Sequence, residues 1–503
     1  MSRTRKIIGA SSIGYLQQAA MIGVGVWLTP FLLGRIGQHD LGLWLVAGQL
    51  LGYLGLVDLG ILAILPREVA RVSAQPEGAE QVSSLVAHVR RIVLWQTAGL
   101  AVICLTLLVL LPAQWIDLRW PLACVFAVFV GAYPLRIPSA ALQGLQDLPY
   151  LAKVQMVGWA AGTSVTVVLV MMGWSLPALV AGWSVTLLGP AATAAWRFRR
   201  SFAAAHGHAK GPVGDQYLRR SLWVSAGQLG QVFLNGSDVL VIGNILGAAA
   251  VVPYSCTAKL VTIFANHPQL LIHTAQPALT ELRAAGAKDR LVTVAQALTQ
   301  GMLIMSGALV LVVIAVNRFF VSWWVGTDQY GGLWLTVALA GMMLLRHWNV
   351  ATIYTLFCFG YERQLSLVGL ADGVVTIAGA AWLVAVLGPI GAPLASGLGA
   401  IFVGLPVNLR SVAKEMDVSI PELLRPSATL VATIASVIGL TVFISQWSDS
   451  SHLLNAAAVA TGMMALYAVA MLPFVTSGPL KPYARTALSM IPIGRLKHRT
   501  ATA

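Results

Sequence analysis

The chain has 503 residues, 57% of them hydrophobic and only 10% charged, with a formal net charge of +14 and a mean hydropathy of +0.78. Soluble domains carry roughly 25% charged residues, so too few polar groups exist here to cover a water-facing surface, and most of the surface must face lipid. The positive charge does not point to nucleic acid: no basic-aromatic stripe of the single-strand-binding kind is present, and Lys and Arg accumulate on the cytoplasmic side of membrane proteins.

Met-Ser-Arg-Thr-Arg-Lys opens the chain. About 25 largely apolar residues follow, too many for a signal-peptide core and with no small-residue cleavage site, so they read as a retained first helix. Apolar runs long enough to span hydrocarbon then recur between short polar breaks. They fall near 8–33, 41–65, 91–112, 120–143, 151–173, 176–196, 221–246, 251–276, 292–317, 331–357, 364–387, 390–410, 427–446 and 453–476. The pattern predicts an all-α polytopic membrane protein of about fourteen transmembrane helices. Only Gly173-Trp-Ser and Gly388-Pro-Ile mark two of the splits.

The longest internal polar break, 197–220, holds His206, His208, Gly211 and Pro212 and reads as a cytoplasmic linker. The expected organisation is an N-terminal lobe at 1–200, a basic linker at 201–220, a C-terminal lobe at 221–410, and two extra helices with a basic tail at 411–503. With a cytoplasmic N-terminus, the outer loops hold only Arg35, Arg119 and Arg318, while most other basic residues fall inside, including Arg67, Arg71, Arg90, Arg91 and the tail from Lys481. That asymmetry supports an even number of spans and two cytoplasmic termini. A shift of 210 positions aligns Ser11 with Ser221, Gln18 with Gln228, Gly37 with Gly247 and Leu50 with Leu260. This suggests a parallel internal duplication, which in transporters places the substrate path between halves.

Cys104, Cys124, Cys256 and Cys358 lie in apolar stretches with no C-x-x-C or metal-ligand spacing, so neither a metal nor a cofactor is expected. Ionisable groups within a membrane are costly and default to functional candidates. Asp58, Arg136, Asp238, Lys259, Arg346 and Asp372 make three opposite-charge sets: Asp238 with Lys259, Arg346 with Asp372, and Asp58 with Arg136. Each is open to two readings, a substrate or ion site or a structural pair holding helices in register. Ser221, Ser225, Gln228, Asn235 and Asp238 form a polar stripe on the seventh helix. Gln18 belongs to a shorter stripe on the first helix, and the eighth helix adds His267 and His273. A histidine there relays protons or makes an interhelical hydrogen bond. Gly158-x-x-x-Gly162 is a candidate close helix contact. No phosphate-binding glycine loop with its Lys is present, so the chain does not hydrolyse ATP. No long outer loop is available to house a catalytic site, which argues against a membrane glycosyltransferase or ligase.

The run from Trp27 to Trp44, then Leu54-Gly-Leu-Val-Asp-Leu-Gly60 and Arg67-Glu-Val-Ala-Arg71, resembles the opening of bacterial polysaccharide repeat-unit flippases of the Wzx type. Asp238-Val-Leu-Val-Ile-Gly-Asn-Ile-Leu-Gly, Val252-Pro-Tyr with Lys259-Leu, and Pro277-Ala-Leu-Thr-Glu-Leu are similar to that family too. The family sits within the multidrug/oligosaccharidyl-lipid/polysaccharide exporter superfamily. The resemblance implies two pseudo-symmetric lobes around a central cavity in the bacterial inner membrane. It implies that an undecaprenyl-diphosphate-linked glycan crosses the bilayer, driven by a proton or sodium gradient and handed to polysaccharide polymerase machinery. Carried onto this chain, Lys259 fits a cavity cation on the eighth helix and Asp238 and Asp58 fit acids on the seventh and second, while Arg136 and Arg346 lie on helices outside the family's central set. Together with the residues read above, Lys259, Arg136, Arg346, Gln18, Gln228 and Asn235 are the candidates for substrate binding. Asp58, Asp238, Asp372, His267 and His273 become candidates for ion coupling. A small-molecule or multidrug antiporter of the same superfamily is the second reading.

Overall fold

The computed structural model describes residues 3–55, 60–73, 78–201, 229–230, 233–234, 236–448, 452–483 and 485. Inside helices, a further set of side chains, including those of residues 3–19 and of His273, lies outside the description. The described residues form helices and turns, because hydrocarbon offers no partner to backbone N–H and C=O groups and a helix satisfies them within one segment. Two compact units result, Met1–Val252 and Pro253–Ala503. The expected linker falls almost wholly at 202–228, outside the described residues.

The first unit opens with α1 (Arg3–Leu54), which bends at Gly37, where φ is 81°. An L side chain resists that left-handed backbone and glycine does not. There follow α2 (Ile61–Ser73), α3 (Gly78–Val109), α4 (Arg119–Ala132), a 3₁₀ turn at Tyr133–Leu135, α5 (Arg136–Gly144), α6 (Leu148–Met171), α7 (Leu176–Ser201) and the apolar α8 (Gly236–Ile245). Helix α9 (Ala248–Phe264) carries the chain into the second unit. That unit continues with α10 (Gln269–Ala284), α11 (Lys288–Val325), α12 (Leu333–Cys358), α13 (Glu362–Leu387), α14 (Gly391–Gly399), a π-helical turn at Ala400–Gly404, α15 (Leu405–Met416), α16 (Ile420–Trp447) and α17 (Leu453–Ser477).

Nine described segments are long and apolar enough to cross a membrane. Two of them, Ala20–Leu54 and Glu362–Met416, contain a bend at Gly37 or Gly388 where the sequence places a break between two spans. Two predicted spans are themselves interrupted. The span expected at 41–65 ends at Leu54 and restarts at Ile61, after Gly60 with φ 68°. The span expected at 251–276 ends at Phe264 and restarts at Gln269. Pro268, at the N-cap of α10, has no N–H to donate, and its ring disfavours a helical residue before it. His267 therefore sits in a helix break and not, as expected, along a continuous eighth helix.

The element order of the first unit recurs in the second. The arm of α1 after Gly37, then α2 and α3, return as α9, α10 and α11 at an offset close to 210 positions. Gly37 and Gly247 are 210 apart and both have positive φ, 81° and 89°. Four residues are added before α12, and from there the offset is 214. Helices α4 and α5 together return as α12, α6 as α13, and α7 as α14 with α15. Gln146 (φ 60°) and Gly360 (φ 78°) occupy equivalent turns. Packing partners repeat as well: α2 lies on α5 and α10 on α12, while α6 lies on α7 and α13 on α14. Helices α16 and α17 follow this repeated order in the second unit and pack along α11. Leu303 and Leu311 meet Leu430, Ile434, Val437, Met463 and Met471 there, and the Tyr467 hydroxyl donates to the Ile304 carbonyl at 2.7 Å.

The α6–α7 crossing shows how small residues set a helix distance. A Cβ placed on Gly162 would overlap Thr186 Oγ1 and the Gly182 carbonyl, and one on Gly182 would overlap Thr166 Oγ1. Of the glycine pair noted in the sequence, Gly162 thus lies at a backbone-to-backbone contact and Gly158 against the Pro190 ring. Gly162→Ala and Gly182→Ala should each lower stability by about 1–3 kcal/mol through overpacking. Gly99→Ala, with open space around the added methyl, should leave it unchanged. Thermal unfolding in detergent checks the contrast.

Candidate functional site

The second unit holds a polar centre between α12, α13 and α14. Arg346 on α12 places one Nη on Asp372 Oδ2 and the other 3.0 Å from Asp372 Oδ1. Its Nε donates to Ser396 Oγ at 3.1 Å, and Nη2 also reaches the Ser396 carbonyl at 2.6 Å and Thr376 Oγ1 at 3.3 Å. The Asp372 side chain is 2% exposed and that of Arg346 19%. A guanidinium fork suits this two-pronged geometry, and the surrounding oxygens satisfy its remaining protons. Arg346 and Asp372, paired from their spacing in the sequence, therefore meet, and the charge of each is balanced inside this unit.

The backbone makes room for the pair. A Cβ on Gly399 would overlap Asp372 Oδ1 and crowd Thr376 Oγ1, and one on Gly404 would come within 2.5 Å of Asn349 Nδ2 and 3.1 Å of Asp372 Oδ2. Gly404 closes the π-helical turn, and Asn408 beyond it donates to Asn349 Oδ1 at 2.9 Å. A single π-turn inside a helix often marks a functional position. At the 214 offset, Asp372, Thr376 and Ser396 correspond to Gly158, Gly162 and Gly182 of the first unit. The crossing closed by three glycines in one repeat is opened in the other and filled with a carboxylate, two hydroxyls and a guanidinium. Thr376, Ser396, Asn349 and Asn408 were not singled out from the sequence; an internal alignment past residue 119 would have flagged the first two.

Lys259 lies on α9, half-buried, with Nζ 6.0 Å from the centre of the Trp324 ring. Among the described residues it has no carboxylate partner at ion-pair distance. His267 is exposed in the break before α10, edge-on to Phe264 at 6.2 Å. His347, also missed by sequence reasoning, is 2% exposed next to Arg346. Its signal was the polar cluster Arg346-His347-Trp-Asn349 inside an apolar run.

In the first unit, Asp238 is half-buried on α8 and within electrostatic range of Tyr53. The Tyr53 and Phe233 rings lie 5.8 Å apart, and a Cβ on Gly236 would overlap Gln49 Oε1. Trp115 Nε1 donates to the Gly243 carbonyl at 3.3 Å, and Gln38 Nε2 to that of Ala249 at 2.8 Å. These contacts fix α8 and the start of α9 against the second arm of α1 and the 3₁₀ turn at Ala113–Leu118. Arg136 is half-buried at the start of α5, its guanidinium 5.6 Å from the Tyr133 ring centre. Asp238 thus belongs to the first unit and Lys259 to the second. Asp58, Gln228 and Asn235 lie outside the described residues, as do the side chains of Gln18 and His273. Among the described residues no group of three or more His, Cys, Asp or Glu is arranged to hold a metal ion.

This fold is that of polytopic helical transporters already solved. The chain is similar to the lipid II flippase MurJ in its inward closed conformation, with a TM-score of 0.61 and 11% identity over 92% of this chain and 98% of that one. It is also similar to the inward-facing conformation of a multidrug resistance MATE family transporter of the MOP superfamily, with a TM-score of 0.56 and 15% identity over 82% and 99%. Residues 121–333 match the family described as polysaccharide biosynthesis protein. No curated protein sequence matches the chain.

Removing one partner of the buried pair strands the other. Arg346→Ala should cost about 3–5 kcal/mol. Arg346→Met combined with Asp372→Leu should recover most of that loss, because replacing a whole buried pair by apolar side chains is often neutral. Unfolding of the two single variants and the double variant in detergent measures the coupling.

Proposed function

We propose that the chain is a flippase that moves an undecaprenyl-diphosphate-linked oligosaccharide repeat unit from the inner to the outer leaflet of the bacterial inner membrane. The supporting observation is a match to polysaccharide biosynthesis proteins at 121–333 on a fold shared, over 92% of the chain, with a lipid II flippase. In this reading both termini are cytoplasmic, transport proceeds by alternating access, and a proton or sodium gradient drives it. The exported unit passes to polysaccharide polymerase machinery. The chain carries its substrate and does not alter it.

The chemistry assigns the charged residues different tasks. A diphosphate entering a low-dielectric site needs positive charge that is not already neutralised. Lys259 supplies it in this reading, half-buried and resting on Trp324. The polar residues Gln18, Gln228 and Asn235 bind the glycan. Arg346, held by Asp372 and Ser396, is better suited to fixing α12 against α13 and α14 than to meeting substrate. Asp238 and Asp58 are the acids assigned to ion coupling.

Deletion of the gene should abolish the surface polysaccharide and leave lipid-linked repeat units in the inner leaflet. Lys259→Ala, at matched expression, should lower export by about tenfold or more, as losing a charge-assisted bond of roughly 1.5–3 kcal/mol requires; Lys259→Arg should retain most of it. Intact polysaccharide in the deletion strain, together with lost drug resistance, would instead establish the multidrug antiporter reading favoured by the likeness to the MATE transporter.

A further inference from the structure

His347 is a buried titratable group with no part in the reading above, and its surroundings are complete for two charge states. Nε2 lies 2.8 Å from the Ala265 carbonyl, an acceptor only, so this nitrogen carries a proton in either state. Nδ1 lies 2.7 Å from Ser306 Oγ. Ser306 Oγ in turn lies 2.7 Å from the Met302 carbonyl. When the imidazole is neutral, the Ser306 hydroxyl donates to Nδ1. When a proton is added at Nδ1, Nδ1–H donates to Ser306 Oγ, and the hydroxyl proton turns to the Met302 carbonyl. One hydroxyl rotation accommodates the proton, and every donor keeps an acceptor.

The Ala265 carbonyl is also the mechanically interesting acceptor. It stands at the first residue of the break between α9 and α10, and Gln269 Nε2 caps it at 3.2 Å. His347 thus ties α12 to the point where the chain bends. Asn266 and His267, next in the break, are exposed, whereas His347 and Ser306 are 2% and 0% exposed. Among the described residues, the groups around the ring leave the added charge uncompensated. Residues 298–314 of α11 and 427–446 of α16 contain no titratable side chain. On α12, Arg346 is turned to Asp372. Tyr467 of α17 is committed to the Ile304 carbonyl. From α9 and the break come Lys259, which rests on Trp324, and the exposed His267. His273 on α10 has its side chain outside the description. An imidazolium enclosed without a counter-charge is costly, so proton uptake accompanies a conformation in which the break opens and water reaches the ring.

We infer that His347, with Ser306 and the Ala265 carbonyl, is a proton-binding site whose occupancy is linked to opening of the α9–α10 break, which makes the proton the ion that drives the second unit. The naming of the proton as driving ion rests on the transport reading above; the linkage itself does not.

The test uses the full chain in detergent micelles with ¹⁵N-labelled histidine and no substrate. The imidazole signals absent from His347→Gln identify the residue; Gln keeps one acceptor and one donor but cannot titrate. Between pH 8 and pH 5, the His347 signals should move from a single neutral tautomer, protonated at Nε2, to an imidazolium. Protection of the amides at 264–267 and 269, taken as the exchange rate of an unstructured peptide at the same pH divided by the observed rate, should fall by about fivefold or more over the same interval in the wild type and stay constant in His347→Gln. Ser306→Ala, which removes the acceptor for Nδ1–H, should shift the titration to lower pH. A neutral tautomer throughout, or equal pH dependence of protection in His347→Gln, overturns the inference and leaves the flippase reading intact. Normal polysaccharide export without the chain removes the flippase reading and leaves the titration to stand or fall by these measurements.

Discussion

Hydrocarbon supplies no hydrogen-bond partner, and the consequences of that constraint run from the backbone to the two polar centres of the second unit. It makes every described span a helix. It turns hydroxyls back onto their own helices, as in Thr97 to Val93, Ser184 to Val180 and Thr441 to Val437, so that a polar atom does not face lipid. Arg346 obeys the same rule by gathering oxygens from Asp372, Thr376 and Ser396. His347 obeys it by resting between a carbonyl and a hydroxyl that acts as donor or acceptor.

The two repeats solve one packing problem in two ways. In the first unit α6 and α7 touch through glycine, a contact that leaves no room for chemistry. In the second, the equivalent crossing holds a charged pair and a π-turn. Glycine then serves a further purpose there: Gly399 and Gly404 give space to the polar side chains of Asp372, Thr376 and Asn349. The duplicated scaffold thus has one crossing closed by glycine and one filled by polar groups that hold α12 against α13 and α14.

The spans were legible because hydropathy acts over about 20 residues at once, and the turn glycines at 173 and 388 were enough to separate neighbours. The breaks after Leu54 and Phe264 were not legible, because Gly60 and Pro268 sit inside apolar stretches whose average hides them. The 210-position register was visible at Gly37 and Gly247, but the four residues added before α12 hid its continuation. For the same reason the equivalence of Gly158 with Asp372 could not be read. The Arg346–Asp372 pair was legible from helix rise and turn position. The Ser306–His347–Ala265 chain was not, since it joins three elements across more than 80 positions of sequence.

Helices α16 and α17 bear differently on the membrane itself. Their contact with α11 is made mostly by Leu, Ile, Val and Met, with the Tyr467 hydroxyl adding one bond across the interface. In water such a surface would be driven together by the hydrophobic effect; in a bilayer, acyl chains are as apolar as leucine and contend for the same surface. The adhesion of this helical pair therefore depends on how well the surrounding lipid packs. Bilayer thickness, which sets the tilt that helices of this length adopt, bears on the same contest.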